Sequence, residues 1–251
     1  MKKLVHNQAA IFLLCSLLLL VVSACARKRP IWSFEQVKQE RPAPGSGWWR
    51  VSFRMKWPED TQPSWHLDLF LAHEVILPLL NEHGNRLALW RFHRRAVRDK
   101  SGHQFSFIFY ASQETAHQIY DSLKSNALLK EMMDKGLIVQ DIYDDTSWIA
   151  KPNIEDTSDD NWSPQIQRSW PYFIMGVSQM WLTSIGEIAR DLSAGYRPSS
   201  LQEVLAFYQQ VNENLIRSWQ EEGGHSMLHH LYAIFGYEPV KIDKADILIG
   251  F

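Results

Sequence analysis

Hydrophobic and polar positions divide the chain into three stretches with different rhythms. From Ala9 to Val22 nearly every position is apolar and none is charged. Between Trp49 and Tyr143 the pattern switches repeatedly between a period of two and a helical period. Beyond Ser163 it is helical almost to the end.

The middle stretch carries the clearest structural signal. Val51, Phe53, Met55 and Trp57 point one way, while Arg50, Ser52, Arg54 and Lys56 point the other, so Trp49–Trp57 is predicted as a half-buried strand. Ser64 is placed to cap a helix running to about His83, with Gly84 as its stop and Pro78 bending or dividing it. Two strands are expected over Leu87–Arg98 and His103–Tyr110, joined by Asp99-Lys100-Ser101-Gly102. Their apolar faces hold Trp90, Phe92 and Ala96, and Phe105, Phe107 and Phe109. Ser112 caps a helix through Ala116, Ile119, Tyr120 and Leu123, continuing past Leu128, Leu129 and Met132 to Gly136. Leu137–Tyr143 is the last strand. The order β-α-β-β-α-β over residues 48–143 matches the ferredoxin-like arrangement, a four-stranded antiparallel sheet with two helices on one face.

Residues 144–162 are polar and acidic and read as a loop or linker. Residues 163–251 form a helical, Trp-rich region expected to pack on the sheet domain. Ser163-Pro164 opens its first helix. The uncharged run Ser169–Gly186 holds Gln179, several hydroxyls and two glycines, which favours a buried core helix over a membrane span. Ser200 with Glu203 forms a capping box for a helix with Leu201, Leu205, Tyr208, Val211, Leu215 and Trp219 on one stripe. Gly223-Gly224 is expected to break it. His225–Phe235 gives a final helix, followed by a short extended tail. The fold class is therefore α+β.

At the N-terminus, Lys2 and Lys3 precede the apolar run, which is shorter than the roughly 20 residues needed to span a bilayer. Small residues close it. That is the layout of a secretory signal over residues 1–24. Val22-Ser23-Ala24-Cys25 resembles the bacterial lipobox. The resemblance implies cleavage before Cys25, diacylglycerol on its sulfur and palmitate or a similar third chain on the new amino group. Two or more acyl chains anchor a protein stably to a membrane. Ala26 stands where an aspartate favours inner-membrane retention in many Gram-negative bacteria, so the expected address is the periplasmic face of the outer membrane. Residues 25–47, with Arg27, Lys28, Arg29 and a Pro/Gly-rich end, read as a lipidated tether.

Composition narrows the partners. A formal net charge of −2 argues against nucleic acid. Of the two cysteines, Cys15 lies in the signal and Cys25 carries lipid, so no disulfide is expected in the folded part. Its core must hold it together. Eleven tryptophans make that plausible, since each buries roughly 150–250 Å².

Two constellations are candidates for chemistry. Arg50, Arg54 and Lys56 on the first strand, and Arg91, His93 and Arg95 on the second, share the sheet face opposite the apolar core, with Gln104, Ser106 and Tyr110 beside them. Guanidinium groups suit carboxylate or phosphate, so an anionic glycan, a lipid headgroup or an envelope protein is the candidate partner. The favoured reading is plainer: the C-terminal helices or the acidic loop cover this face and pair its arginines internally. His225 and His229 lie one helical turn apart, as zinc ligands do, but a third ligand is needed and His230 points elsewhere. His73-Glu74 lacks the second histidine of a zincin, since position 77 is Leu77. No nucleophile elbow, P-loop or dinucleotide fingerprint occurs, and no cofactor is implied. Trp65–Tyr143, with Phe92-His93-Arg94-Arg95, Gly102-His103-Gln104-Phe105 and the later Leu228-His229-His230, is similar to the small domain of lantibiotic and thiopeptide biosynthesis proteins. Those modify peptides in the cytoplasm, which conflicts with an export signal, and no activity is taken from the likeness. The expectation is a non-catalytic binding or assembly role at the cell envelope, with a hydrolase acting on glycan or peptide as the alternative.

Overall fold

The computed structural model describes residues 45–193 and 200–238, together with the backbone of two short strands at Val240–Ile242 and Ile247–Ile249. The signal, Cys25 and the tether up to residue 44 lie outside the described residues. From Gly45 onward the chain builds an α+β unit on a four-stranded antiparallel sheet. Its strands are β1 (Ser46–Met55), β2 (Leu89–Ala96), β3 (His103–Ser112) and β4 (Ile138–Tyr143), in the order β2-β3-β1-β4.

Alternation decides which side chains enter the core. Trp49, Val51, Phe53 and Met55 from β1 meet Phe105, Phe107 and Phe109 from β3, all buried. Helices cover this face. The first is continuous from Trp65 to His83 but changes pitch along its length: α1 (Trp65–Phe70), a π-helical segment (Leu71–Ile76) and α2 (Leu77–His83). The expected bend at Pro78 is absorbed there, because the wider turn just before the proline tolerates the missing amide. Two end signals differ from expectation. The Ser64 hydroxyl accepts no capping bond, and Gly84 keeps right-handed helical dihedrals, so the chain leaves through a 3₁₀ turn (Gly84–Arg86) instead. The second cover is two helices rather than one, α3 (Gln113–Lys124) and α4 (Ala127–Asp134). Ser112 Oγ accepts from Thr115 N–H at 3.2 Å, and Asn126 restarts the helix by accepting from Leu129 N–H at 3.1 Å. Gly136 follows at φ 65°, the left-handed stop the sequence predicts.

The strands are offset from prediction by a few residues. β1 begins at Ser46 and ends at Met55, because its pairing with β4 shifts register between Arg54 and Met55. Trp57 therefore lies outside the ladder. β2 ends at Ala96, where the turn begins, and Gly102 takes a positive φ while Asp99 accepts from the Ser101 and Gly102 amides.

The C-terminal half adds α5 (Pro164–Leu192), α6 (Leu201–Gly223), a second π-helical segment (Gly224–His229) and α7 (His230–Ile234). Ser163 caps α5 and Ser200 caps α6, each hydroxyl accepting a backbone N–H from the first turn. α5 lies along β2. Ser178 Oγ accepts from Phe92 N–H at 3.1 Å, and the Trp181 ring meets Phe92 edge-on at 5.5 Å. Edge strands need such cover. α5 is not the buried core helix expected: only Pro171, Ser178, Leu182, Ile185 and Ala189 are buried, while Phe173 and Tyr172 face outward. No described helix is long and apolar enough to cross a membrane. α6 packs on α1, where Tyr208 meets Phe70 at 5.6 Å, and Phe207, Tyr208 and Val211 join the same core as the sheet. Trp219, placed on that stripe by the sequence, is half exposed. Gly223-Gly224 does not break the helix; the chain passes through it in π-helical geometry.

Candidate functional site

The face of the sheet opposite the core has two ends. At one, Trp48, Leu89, Ile108 and Tyr110 form a small second apolar cluster, with Ile154 and Met175 against it. The acidic segment after β4 crosses here: Trp48 N–H donates to Lys151 C=O at 2.9 Å, Trp48 Nε1–H to Ile154 C=O at 2.9 Å, and Tyr110 O–H to Pro152 C=O. The loop thus covers part of this face, as the favoured reading expects, and its Asp144 pairs Arg50.

Beside that cover lies a cavity of about 350 Å³. Its size is within the roughly 300–1,000 Å³ common for small-ligand pockets. Register sets the walls. Arg50, Ile108 and Arg91 occupy one row across β1, β3 and β2, and Ser52, Ser106 and His93 the next. Arg54, Gln104 and Arg95 form the third. Of the six basic residues singled out in the sequence, Arg50, Arg91, His93 and Arg95 line the cavity. Arg54 shares the face but turns to Lys100 C=O at 3.2 Å, outside the lining. Lys56 lies past the β1 register shift and is exposed. Lys151 and Thr157 from the crossing loop complete the walls, and sequence periodicity had no means of placing them there.

The cations differ in how they are satisfied. Arg50 pairs with Asp144 at 3.3 Å and Arg95 with Asp99 at 2.6 Å, both near solvent. Arg91 is the exception. It is 8 % exposed, its guanidinium lies over the Trp170 ring at 4.8 Å, and its buried Nε has no hydrogen-bond partner among the described residues. Burial pushes its pKa down to about 10, so it remains a cation at neutral pH. The Thr157 hydroxyl in the same walls is likewise buried without a partner. Burial, and then the charges of Arg91, Arg95 and Arg50, lower the pKa of His93. Buried polar atoms are nearly always paired, so two orphaned donors in one cationic cavity call for an acceptor.

Other polar clusters lie outside this cavity. Asp68 is fully buried and pairs with Arg94 at 2.8 Å and His103 at 3.0 Å. Sequence reading overlooked it, although Arg94 shares its parity with Trp90 and Phe92, and an arginine on an apolar face needs a carboxylate. Tyr208 links His73, at 2.6 Å, to Glu74 across the α6 contact. A further concavity of about 540 Å³ lies between α5 and α6, walled by apolar side chains such as Trp181, Leu215 and Met227 and by polar ones such as Glu187, Asn212 and Glu222.

The histidines near the end gather differently from expectation. His225 and His229 stack at 5.3 Å, and His230 contacts both, at 5.6 and 5.5 Å. π-helical winding places positions five apart on one face, which brings His230 in. Among the described residues no three His, Cys, Asp or Glu side chains are grouped to hold a metal. Comparisons with protein families, with curated proteins and with solved structures find no match to this chain.

Proposed function

We infer that this chain is an exported, lipid-anchored envelope protein whose folded part binds an anionic ligand without chemical change. The observation that carries the binding reading is Arg91: a buried cation in the lining of a cavity, stacked on Trp170, whose buried Nε has no hydrogen-bond partner among the described residues. An unpaired buried charge costs stability unless something completes it. The remaining lining supports a holding role. Beside the apolar Trp48, Trp49 and Ile108 it holds cations and hydroxyl or amide groups, and its one carboxylate, Asp144, is paired with Arg50. The anchoring half of the reading rests on the basic start, the apolar run and the lipobox-like Val22-Ser23-Ala24-Cys25. The β-α-β-β-α-β half is read as ferredoxin-like, which the antiparallel order β2-β3-β1-β4 supports.

The test is thermal unfolding of the full chain in a non-ionic detergent, with and without millimolar phosphate, sulfate, succinate and citrate. A ligand that binds only the folded state raises the midpoint by mass action. At least one anion is expected to raise the midpoint of the wild type and to leave Arg91→Met unmoved. If no anion raises it, or if Arg91→Met responds equally, the cavity is not a binding site.

A further inference from the structure

Resting on that anion-binding reading, we propose that the cavity takes a phosphoryl group, as a dianionic phosphomonoester headgroup, with Arg91 as anchor and the Thr157 hydroxyl as second donor.

Donor directions make the first case. A carboxylate is planar and offers two oxygens, which one guanidinium edge satisfies. A phosphomonoester offers three terminal oxygens arranged tetrahedrally and accepts from several sides at once. The donors here come from three separate parts of the chain. Arg91 of β2, Arg50 of β1, and Lys151 and Thr157 of the loop crossing above all belong to the lining. A set of donors converging from sheet and loop fits the tetrahedral group better than the flat one.

Charge makes the second case. Arg50, Arg91, Arg95 and Lys151 are cations in the lining, and Asp144 offsets one of them. Asp99, from the hairpin turn, offsets another through Arg95. The excess that remains matches a group of charge about −1.5 to −2 at neutral pH better than a single negative charge. The third case is Arg91 itself. Trp170 occupies a face of the guanidinium and so takes none of its N–H groups, which lie in the plane and suit the in-plane grip of arginine on phosphate.

Phosphoryl headgroups reach a membrane-tethered protein in two forms, a lipid or a soluble ester. Calorimetric titration of the full chain in non-ionic detergent separates them. The probes are inorganic phosphate, glycerol phosphate, succinate, and micelles doped with phosphatidic acid. Glycerol phosphate is expected to bind at least tenfold more tightly than succinate. Arg91→Met should weaken it tenfold or more with an unchanged or higher unfolding midpoint, because the variant removes an unpaired buried charge. Thr157→Val, which keeps the side-chain shape, should weaken phosphate but leave succinate within a factor of two. Displacement of glycerol phosphate by the doped micelles assigns the lipid source, and failure to displace it assigns the soluble one; either supports a phosphoryl site. Succinate binding as tightly as the esters overturns the phosphoryl inference and leaves the anion site standing. Binding by none of the probes overturns both.

Discussion

His93 and Arg91 sit two positions apart on one strand and bear the cost of the cationic cavity in different ways. Arg91 stays charged, with its pKa lowered to about 10, whereas His93 yields its proton more easily than a free histidine. His66, near the Asp68 cluster, is lowered too, chiefly by burial and against the pull of Asp68. For both histidines the folded state binds protons less readily than the unfolded chain. Below the ordinary value of 6.5 the unfolded state therefore takes up more protons, and stability falls as pH falls. Above it their contribution is complete. The unfolding midpoint should drop between pH 7.5 and 5.5, and His66→Gln with His93→Gln should flatten that slope. Parallel curves for wild type and double variant would show that other groups govern the acid limb. How far single residues are legible in sequence depends on parity. Arg91, His93 and Arg95 alternate with Phe92, so their side of the sheet follows from the strand period. Arg94 breaks the apolar set, and its partner Asp68 comes from another element, which no local pattern identifies.

α5 shows how an element can be recognised and still misplaced. Its run of uncharged and aromatic residues marks a helix, and Ser163 marks its start, as the structure bears out. Burial depends on what packs against it. One face meets β2 and the other meets solvent, so Phe173 is exposed while Leu182 and Ile185 are enclosed. Ser178 is the joint between helix and sheet edge, accepting from Phe92 N–H and donating to Ile174 C=O at 2.8 Å. Ser178→Ala leaves that strand amide buried without a partner, at a cost of about 1–2 kcal/mol. Urea unfolding should register the loss, and the Phe92 amide should exchange faster than its neighbours. Unaltered exchange would mean that α5 does not protect the edge. The π-helical segments carry the same lesson. Pro78 and Gly223-Gly224 are correctly read as disturbances, but a change of pitch absorbs each of them where a bend or a break was expected.

At the scale of the molecule, the N-terminal signal and the cavity make independent claims. Metabolic labelling with an alkyne analogue of palmitate should mark the wild-type chain in the membrane fraction, and Cys25→Ser should lose both label and membrane retention. Retention without label would point to an uncleaved apolar anchor. The sheet itself was within reach of pattern reading, because strand alternation and helix caps are local, and a side chain's face follows from its neighbours two or four positions away. So was the basic character of its outer face. Completion of the cavity was out of reach. Trp170, Lys151 and Thr157 arrive from beyond the last strand, brought over Arg91 by the loop that bonds to Trp48 and Tyr110. Periodicity assigns residues to a face, but only the packing of distant segments decides which part of that face is covered and which buried donor is left without an acceptor.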